Sequence, residues 1–277
     1  MEHMDIGLIA LDLDGTLLDS QKRLTARSRA ALEQAAARGI AIVPTTGRFF
    51  DAIPAAVREL PFLRYAITIN GAHAHCIATG EALYRAEIPW QQALELMEYL
   101  ETLPVIYDCY QDNWGWMTAS MQARAPEFAP DPYYLEILQK YRHPVPDVRA
   151  LVRERQRGVQ KVQFFTRDLA LRAELLQSLG SRFHGLLASS SVCNNVEINA
   201  ADANKGRAML ALAAHLGLRP EQTMAFGDGL NDLSMLRAAG LGVAMANAVD
   251  EAKACADCVT GSCDEDGVAQ MIEAVCL

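Results

Sequence analysis

Leu8-Ile9-Ala10-Leu11-Asp12-Leu13-Asp14-Gly15-Thr16 decides the reading of this chain: four apolar residues, two acids one residue apart, then Gly-Thr. From Ile6 to Leu11 only Gly7 interrupts the apolar run, as in a parallel strand buried on both faces. Strand side chains repeat every two residues, so Asp12 and Asp14 can leave the sheet on one side of the chain. Two carboxylates so close repel, and burying them unpaired costs several kcal/mol, which makes a divalent cation their natural partner. Gly15 permits a sharp departure, and Thr16 can hydrogen-bond the loop it opens. An acidic turn after an edge strand is the bland alternative. At roughly 5% usage per residue, D-x-D-G-T arises by chance on the order of once in 10⁵ windows.

Outward from this stretch, the chain alternates strand and helix. Thr25 is placed to cap a helix that stops at Gly39, and Ile40–Pro44 reads as a second strand ending in Thr45-Thr46-Gly47-Arg48. A helix of about ten residues is expected from Phe50 to Leu60. Tyr65–Ile69 reads as a third strand, ending in Asn70-Gly71-Ala72. Strands and helices in this rhythm, with polar residues at each strand's carboxyl end, predict a Rossmann-like, doubly wound parallel α/β core that binds its ligand there.

From about Tyr84 the rhythm changes. Trp90–Leu103 is expected as an amphipathic helix. Val105–Tyr110 and Trp114–Met117 read as a hairpin about Asp112-Asn113. The stretch 124–148, with prolines at 126, 130, 132, 144 and 146, reads as loop-rich with one short helix near Tyr134–Tyr141. Val159–Thr166 is expected as a strand, Asp168 as the cap of a helix reaching Gly180, and Phe183–Ser190 as a strand pair. This is an inserted α+β domain, giving boundaries of 1–83 for the first part of the core, 84–189 for the insert and 190–277 for the second part. The core is expected to resume at Val192–Ile198, followed by a helix opened by Asp202–Gly206. Next come a strand at Thr223–Phe226 ending in Gly227-Asp228-Gly229-Leu230-Asn231-Asp232, and a terminal helix capped by Asp264.

Composition bounds the function. The chain has 277 residues, 51% of them hydrophobic, and its 25 basic against 34 acidic residues give a net charge of −9. Such a balance argues against a nucleic-acid or anionic-membrane partner. No apolar run reaches the 18 or so residues of a membrane span, and no signal-peptide layout opens the chain, so a cytoplasmic protein is expected. Seven scattered cysteines fit reduced thiols better than a disulfide framework. Cys255 and Cys258, with Cys263 nearby, lack a second pair or a histidine to complete a metal site, and are read as packing residues.

The strand ends and helix starts of the two core pieces supply what phosphoryl transfer needs, which is positioning and charge neutralisation. Asp12 or Asp14 can attack; the residues alone do not choose between them. Thr46-Gly47 offers a hydroxyl and an N–H, Lys205 a cation, and Asp228 with Asp232 carboxylates for magnesium. Each alone has an ordinary explanation: a plain turn, a solvated helix start, a helix cap. Their joint order along the chain argues against coincidence.

These motifs resemble the four ordered motifs of the haloacid dehalogenase superfamily, and the T-G-R, Asn70-Gly71 and G-D-G-x-N-D forms are most similar to its Cof-type, sugar-phosphatase-like hydrolases. The resemblance implies Mg²⁺ as cofactor and a cap domain in the insert. It implies Asp12 as nucleophile forming an aspartyl-phosphate, and Asp14 as general acid, then base. Phosphate binding by Leu13, Thr46, Gly47, Lys205 and Asn231 is implied, as are metal ligation by Asp12, Asp14, Asp228, Gly229 and Asp232 and substrate or cap contacts by Arg48, Asn70 and Gly71. Thr45 stands where the family commonly has Ala, and Asn199–Asn204 lacks the Pro/Gly-rich approach often seen before the lysine. The reading is a magnesium-dependent phosphatase of small phosphorylated metabolites, sugar phosphates first, as a monomer or small homo-oligomer. Its rivals are a phosphosugar mutase and a non-catalytic phosphometabolite-binding protein. Around the hairpin, Asp108, Tyr110, Asp112, Trp114 and Trp116 could grip a sugar, though filling the insert's own core is the simpler role for both tryptophans.

Overall fold

The computed structural model describes residues 5–129, 132–190 and 192–277, so Pro130 of the loop-rich stretch lies outside the described residues. In chain order it begins β1 (Leu8–Leu11), α1 (Ala26–Ala37), β2 (Ala41–Pro44), α2 (Ala55–Arg58), β3 (Tyr65–Thr68), β4 (His73–Cys76) and β5 (Ala82–Arg85). Then follow α3 (Trp90–Leu100), β6 (Val105–Gln111), β7 (Trp114–Thr118), α4 (Ala119–Ala123), α5 (Ala125–Phe128), α6 (Pro132–Lys140), β8 (His143–Val145), α7 (Val148–Arg155) and β9 (Lys161–Thr166). Next are α8 (Leu169–Arg182), β10 (Leu186–Ser189), β11 (Asn195–Ala200), α9 (Lys205–His215), β12 (Thr223–Gly227), α10 (Leu233–Ala238) and β13 (Leu241–Ala244). The chain closes with α11 (Asp250–Cys255), β14 (Cys258–Val259) and α12 (Gly267–Val275).

Two compact units result, residues 1–85 with 203–277, and 86–202. The first holds a parallel sheet in the order β14-β13-β12-β1-β2, which a parallel bridge from Thr45 to Ile67 extends toward β3. β1 is central, with Leu8 and Ala10 packing on Ala208, Met209 and Leu212 of α9, while Ile9 and Leu11 face a cluster that includes Leu32 of α1 and Ile272 of α12. Both faces of β1 are therefore dry, which is why its apolar run is unbroken. The order reverses about β1, between β12 and β2, and that switch point opens a crevice at the strands' carboxyl ends.

Thr25 caps α1 as expected, accepting from the Ser28 N–H, and Gly39 follows with a φ of 88°. The helix expected from Phe50 to Leu60 is instead a 3₁₀ turn at Phe50–Ala52 and the short α2, because Pro54 lies between and cannot donate to a continuous helix. β4 and β5, which the sequence reading did not anticipate, pair antiparallel with β3. Asp264 does not cap the last helix. It accepts from the Ser20 N–H, and α12 starts after Asp266.

The second unit is a six-stranded sheet in the order β10-β11-β9-β6-β7-β8, antiparallel except between β7 and β8. One face packs Tyr107, Phe164 and Val196 on α3, α7 and α8, and the other packs Ile106 and Phe165 on residues of α5 and α6. Residues 192–198, expected to restart the core, belong here instead. β11 pairs with β9 and β10, so this unit runs to Asp202 rather than to 189 and begins at Ala86 rather than 84. The pair expected in 183–190 is a single strand, β10, whose antiparallel partner is β11. The 124–148 stretch carries more helix than its prolines suggest, since Pro126 and Pro132 fall in first turns, where no N–H is required.

Candidate active site

Asp12 follows β1 directly, its N–H bonded to the Phe226 carbonyl of β12, and its side chain is buried. Facing it is Lys205, the first residue of α9, whose side chain is fully buried. Asn204 caps α9 by accepting from the Arg207 N–H, so the lysine is delivered without the Pro/Gly-rich approach. Lys205 Nζ lies 2.5 Å from Asp12 Oδ1 and 2.6 Å from Asp232 Oδ1. Asp232 Oδ2 accepts from the N–H groups of Asp228 (3.0 Å) and Gly229 (2.9 Å), which folds Gly227–Asp232 into a tight loop. Gly229's carbonyl, a ligand in the family reading, accepts from the Asp232 N–H within that loop.

Asp12, Asp228 and Asp232 each offer a carboxylate oxygen, and these atoms all lie within 4.8 Å of one another, the one such acidic, histidine or cysteine group of three among the described residues. Lys205 sets one positive charge against three carboxylates, and hard oxygen donors suit Mg²⁺. Burial raises the Asp12 carboxyl; Lys205 pulls it back, Asp232 and Asp228 push with burial, and it stands at about 8. Asp228 is raised to about 6, chiefly by burial and further by Asp232, against the Thr16 hydroxyl that donates to it at 2.8 Å. Burial alone would lower the Lys205 ammonium, but Asp12 and Asp232 outweigh it and hold it above its ordinary range. Carboxylates left partly protonated for want of positive charge fit a divalent cation.

Gly15 has a φ of 90°, and a Cβ there would sit 2.5 Å from Asp228 Oδ2. The glycine of the D-x-D-G-T stretch thus admits the Asp228 carboxylate as well as the turn. Thr16, expected to bond its own loop, reaches Asp228 across the sheet instead. Asn247, which sequence reasoning missed, donates to the Gly15 carbonyl at 2.8 Å and accepts from the Cys263 N–H. Its signal was position, since it follows β13 as the other site residues follow their strands.

Asp14 stands apart from the three-carboxylate group. Both its oxygens are held by Arg48, Nε to Oδ2 and Nη2 to Oδ1 at 2.9 Å each, and Lys22 Nζ adds a contact to Oδ1 at 2.9 Å. Burial works against its ionised form, but these two cations hold its carboxyl below the usual range. Of the two Asp14 groups expected near the metal, backbone carbonyl or carboxylate, the carboxylate is turned to Arg48, and Arg48, expected at substrate or cap contacts, holds Asp14. Leu13 has a buried side chain, so only its backbone is on offer, and its carbonyl accepts from Leu18.

Thr46 is buried, and its Oγ1 accepts from the Arg48 N–H. Asn70 lies against this loop, its N–H bonded to the Thr46 carbonyl and its Oδ1 receiving Asn231 Nδ2 at 3.4 Å. A Cβ on Gly47 would meet that same Oδ1 at 2.7 Å. Ile69, Asn70 and Gly71 all have positive φ, 54°, 56° and 90°. A β-branched Ile in this region is strained, and such strain gathers at functional sites. Gly71 brings its backbone against that of Asn204, where a Cβ would stand 2.4 Å from the carbonyl, so it seats the start of the Lys205 helix.

In the second unit Asp108 and Tyr110 are buried with Arg142, Lys161 and Gln163: Arg142 Nε lies 3.1 Å and Gln163 Nε2 2.9 Å from Asp108 Oδ2. Asp112 pairs with Arg155 and Arg157. Trp116 packs on the unit's core under the Arg155 guanidinium, whereas Trp114 is exposed beside His143. Cys255, Cys258 and Cys263 join no cluster of possible ligands among the described residues.

Known proteins share this architecture. The haloacid dehalogenase-like hydrolase family matches residues 9–272. Phosphatase YwpJ of Bacillus subtilis is 31% identical, over 96% of this chain and 98% of its own. The HMP-PP phosphatase of Escherichia fergusonii is 32% identical, over 89% of this chain and 86% of its own. A crystal structure of a haloacid dehalogenase-like hydrolase from Bacteroides thetaiotaomicron superposes with a TM-score of 0.81 at 28% identity, covering 98% of this chain and 99% of the other. No described helix is long and apolar enough to cross a membrane. The chain belongs to the haloacid dehalogenase-like hydrolases, as an enzyme of the family's phosphatase kind.

Proposed function

We propose that this enzyme is a Mg²⁺-dependent phosphatase of small phosphorylated metabolites, sugar phosphates first, working through an aspartyl-phosphate on Asp12. The observation that carries the reading is the buried contact of Asp12 with Lys205 inside the three-carboxylate group. Relatives of comparable identity support the substrate class: one is named as an HMP-PP phosphatase, another as a 5-amino-6-(5-phospho-D-ribitylamino)uracil phosphatase.

Asp12, Asp228 and Asp232 would hold the metal, with Asp14 contributing through its backbone. When bound, the cation offsets carboxylate and phosphoryl charge and leaves Asp12 ionised for attack. Lys205 is placed to screen the nucleophile and the phosphoryl oxygens. Thr46, the Gly47 N–H, the Leu13 backbone and Asn231 border the place where those oxygens would sit, and Asn70 orients Asn231. Asp12 Oδ attacks phosphorus as the ester oxygen leaves with a proton from Asp14. Asp14, then a carboxylate, takes a proton from the water that cleaves the acyl phosphate, which releases inorganic phosphate and restores both acids.

Phosphate release from sugar, nucleotide, cofactor and aryl phosphates tests this, with Mg²⁺ or chelator and with Asp12→Asn alongside. Turnover that needs Mg²⁺ and Asp12 is expected, and the ranking of substrates defines the leaving group. Absence of turnover by the wild type with Mg²⁺ bound would favour a binding protein, and isomerised sugar phosphate without net release a mutase.

A further inference from the structure

Lys22 has no part in the motifs, yet it places an ammonium on the carboxylate assigned the proton transfers. Its Nζ is 2.9 Å from Asp14 Oδ1, on an atom that Arg48 Nη2 also reaches at 2.9 Å. With Arg48 Nε on Oδ2, both oxygens of Asp14 are pinned, from two different segments of chain. Such a carboxylate cannot swing about its terminal bond without breaking charge-assisted contacts, the strongest kind of hydrogen bond.

The segment that brings Lys22 there is built for it. Asp19, 5% exposed, accepts from the N–H groups of Gln21 (2.9 Å) and Arg23 (2.8 Å) and from Arg23 Nε (2.9 Å). Its backbone N–H bonds the Arg23 carbonyl, its carbonyl receives the Lys22 N–H, and a bridge joins Asp14 to Leu18. Within this turn Lys22 takes a φ of 61°, the left-handed region. For a non-glycine residue that conformation is sterically unfavourable. A half-exposed ion pair returns little against it, and the Lys22 and Asp14 side chains are 46% and 33% exposed. The contact therefore does not repay the conformation as stability, and residues held at such a loss cluster at functional sites.

We infer that Lys22 is a positioning residue, completing with Arg48 a two-cation clamp that holds the Asp14 carboxylate aimed for the attack of water on the aspartyl-phosphate. The inference rests on the function proposed above. In the step it serves, the water oxygen bonds to phosphorus, the bond from phosphorus to the Asp12 oxygen breaks, and the water proton passes to Asp14.

The test separates the half-reactions with a nitrophenyl phosphate, whose leaving group departs as the phenolate and needs no proton from Asp14. Lys22→Asn removes the ammonium while keeping a residue that tolerates the left-handed turn. It should lower kcat about tenfold and KM with it, leave kcat/KM within about twofold, and show a burst of released phenol as phosphoenzyme accumulates. Lys22→Arg should restore kcat. Equal loss in kcat/KM and kcat, or wild-type kinetics in Lys22→Asn, would overturn the inference while leaving the phosphatase reading intact. A wild type that turns over no phosphate ester would overturn both.

Discussion

Lys205 Nζ stands 2.5 Å from Asp12 Oδ1 with both side chains buried, one residue arriving on the first turn of α9 and the other at the end of β1. Removing Lys205 leaves Asp12 and Asp232 in a dry site without the cation they share, and Asp12, already raised to about 8, then takes up a proton. Lys205→Met should lose about 1–3 kcal/mol of stability in denaturant titration and about a hundredfold in kcat. A variant as stable and as active as the wild type would mean that these contacts hold neither the fold nor the nucleophile.

Gly15→Ala should act on the metal side. Its Cβ would meet Asp228 Oδ2 at 2.5 Å, in a backbone conformation that alanine resists. Displacing Asp228 should weaken Mg²⁺ binding about tenfold, read by titrating activity with Mg²⁺. Unchanged Mg²⁺ dependence would remove Asp228 from the metal group.

Mg²⁺ binding should strengthen as pH rises. Asp12 at about 8 and Asp228 at about 6 are both raised above the ordinary 3.8, so the folded, metal-free protein holds more protons than the unfolded chain between these values. Its stability from these groups is therefore full at acid pH and falls as pH climbs from about 4 toward 8. Bound Mg²⁺ requires the deprotonated forms, so the increase in Tm that it causes should be larger at pH 8 than at pH 6. Calorimetry in buffers of different ionisation enthalpy should show protons released on binding.

His73 and His75 on β4 give the opposite slope. Their rings stack 4.8 Å apart, and both Nδ1 atoms are buried without a hydrogen-bond partner. Burial lowers each from 6.5 to about 4, with His75 and Arg85 adding at His73. The unfolded chain binds more protons in this window, so their contribution is intact above about 6.5 and is lost as pH falls toward 4, on the order of 3 kcal/mol per histidine. Tm measured from pH 4 to 7 should fall less toward acid in His75→Phe than in the wild type. Parallel profiles would show that the histidine is solvated.

Much of this was legible in sequence wherever one residue type had one job. The apolar run ending at Asp12 read as a doubly buried strand against the alternative of an edge strand, and β1 lies inside the sheet; Gly227–Asp232 read as a site loop against the alternative of a plain helix cap, and Asp232 closes it on the Asp228 and Gly229 N–H groups. β11 was misassigned because its Asn195, Glu197 and Asn199 alternate with apolar residues, a pattern that fits an antiparallel sheet as well as a core edge. The passage between units at 201–204 carries no glycine or proline to mark it. β4 escaped notice because two of its four residues are histidines, buried against expectation. The partners of Asp14 were hidden for another reason: Lys22 reaches it through a left-handed turn, which has no periodicity to read.

Peptide mapping after rapid acid quench of Asp14→Asn with an aryl phosphate and Mg²⁺ tests the central claim most directly. This variant keeps the nucleophile and loses the base, so one phosphoryl group should accumulate on the peptide that carries Asp12, and none should form when Asp12→Asn is added. Phosphoryl transfer to any other residue, or hydrolysis by the wild type with Asp12 never modified in the trapping variant, would contradict the account.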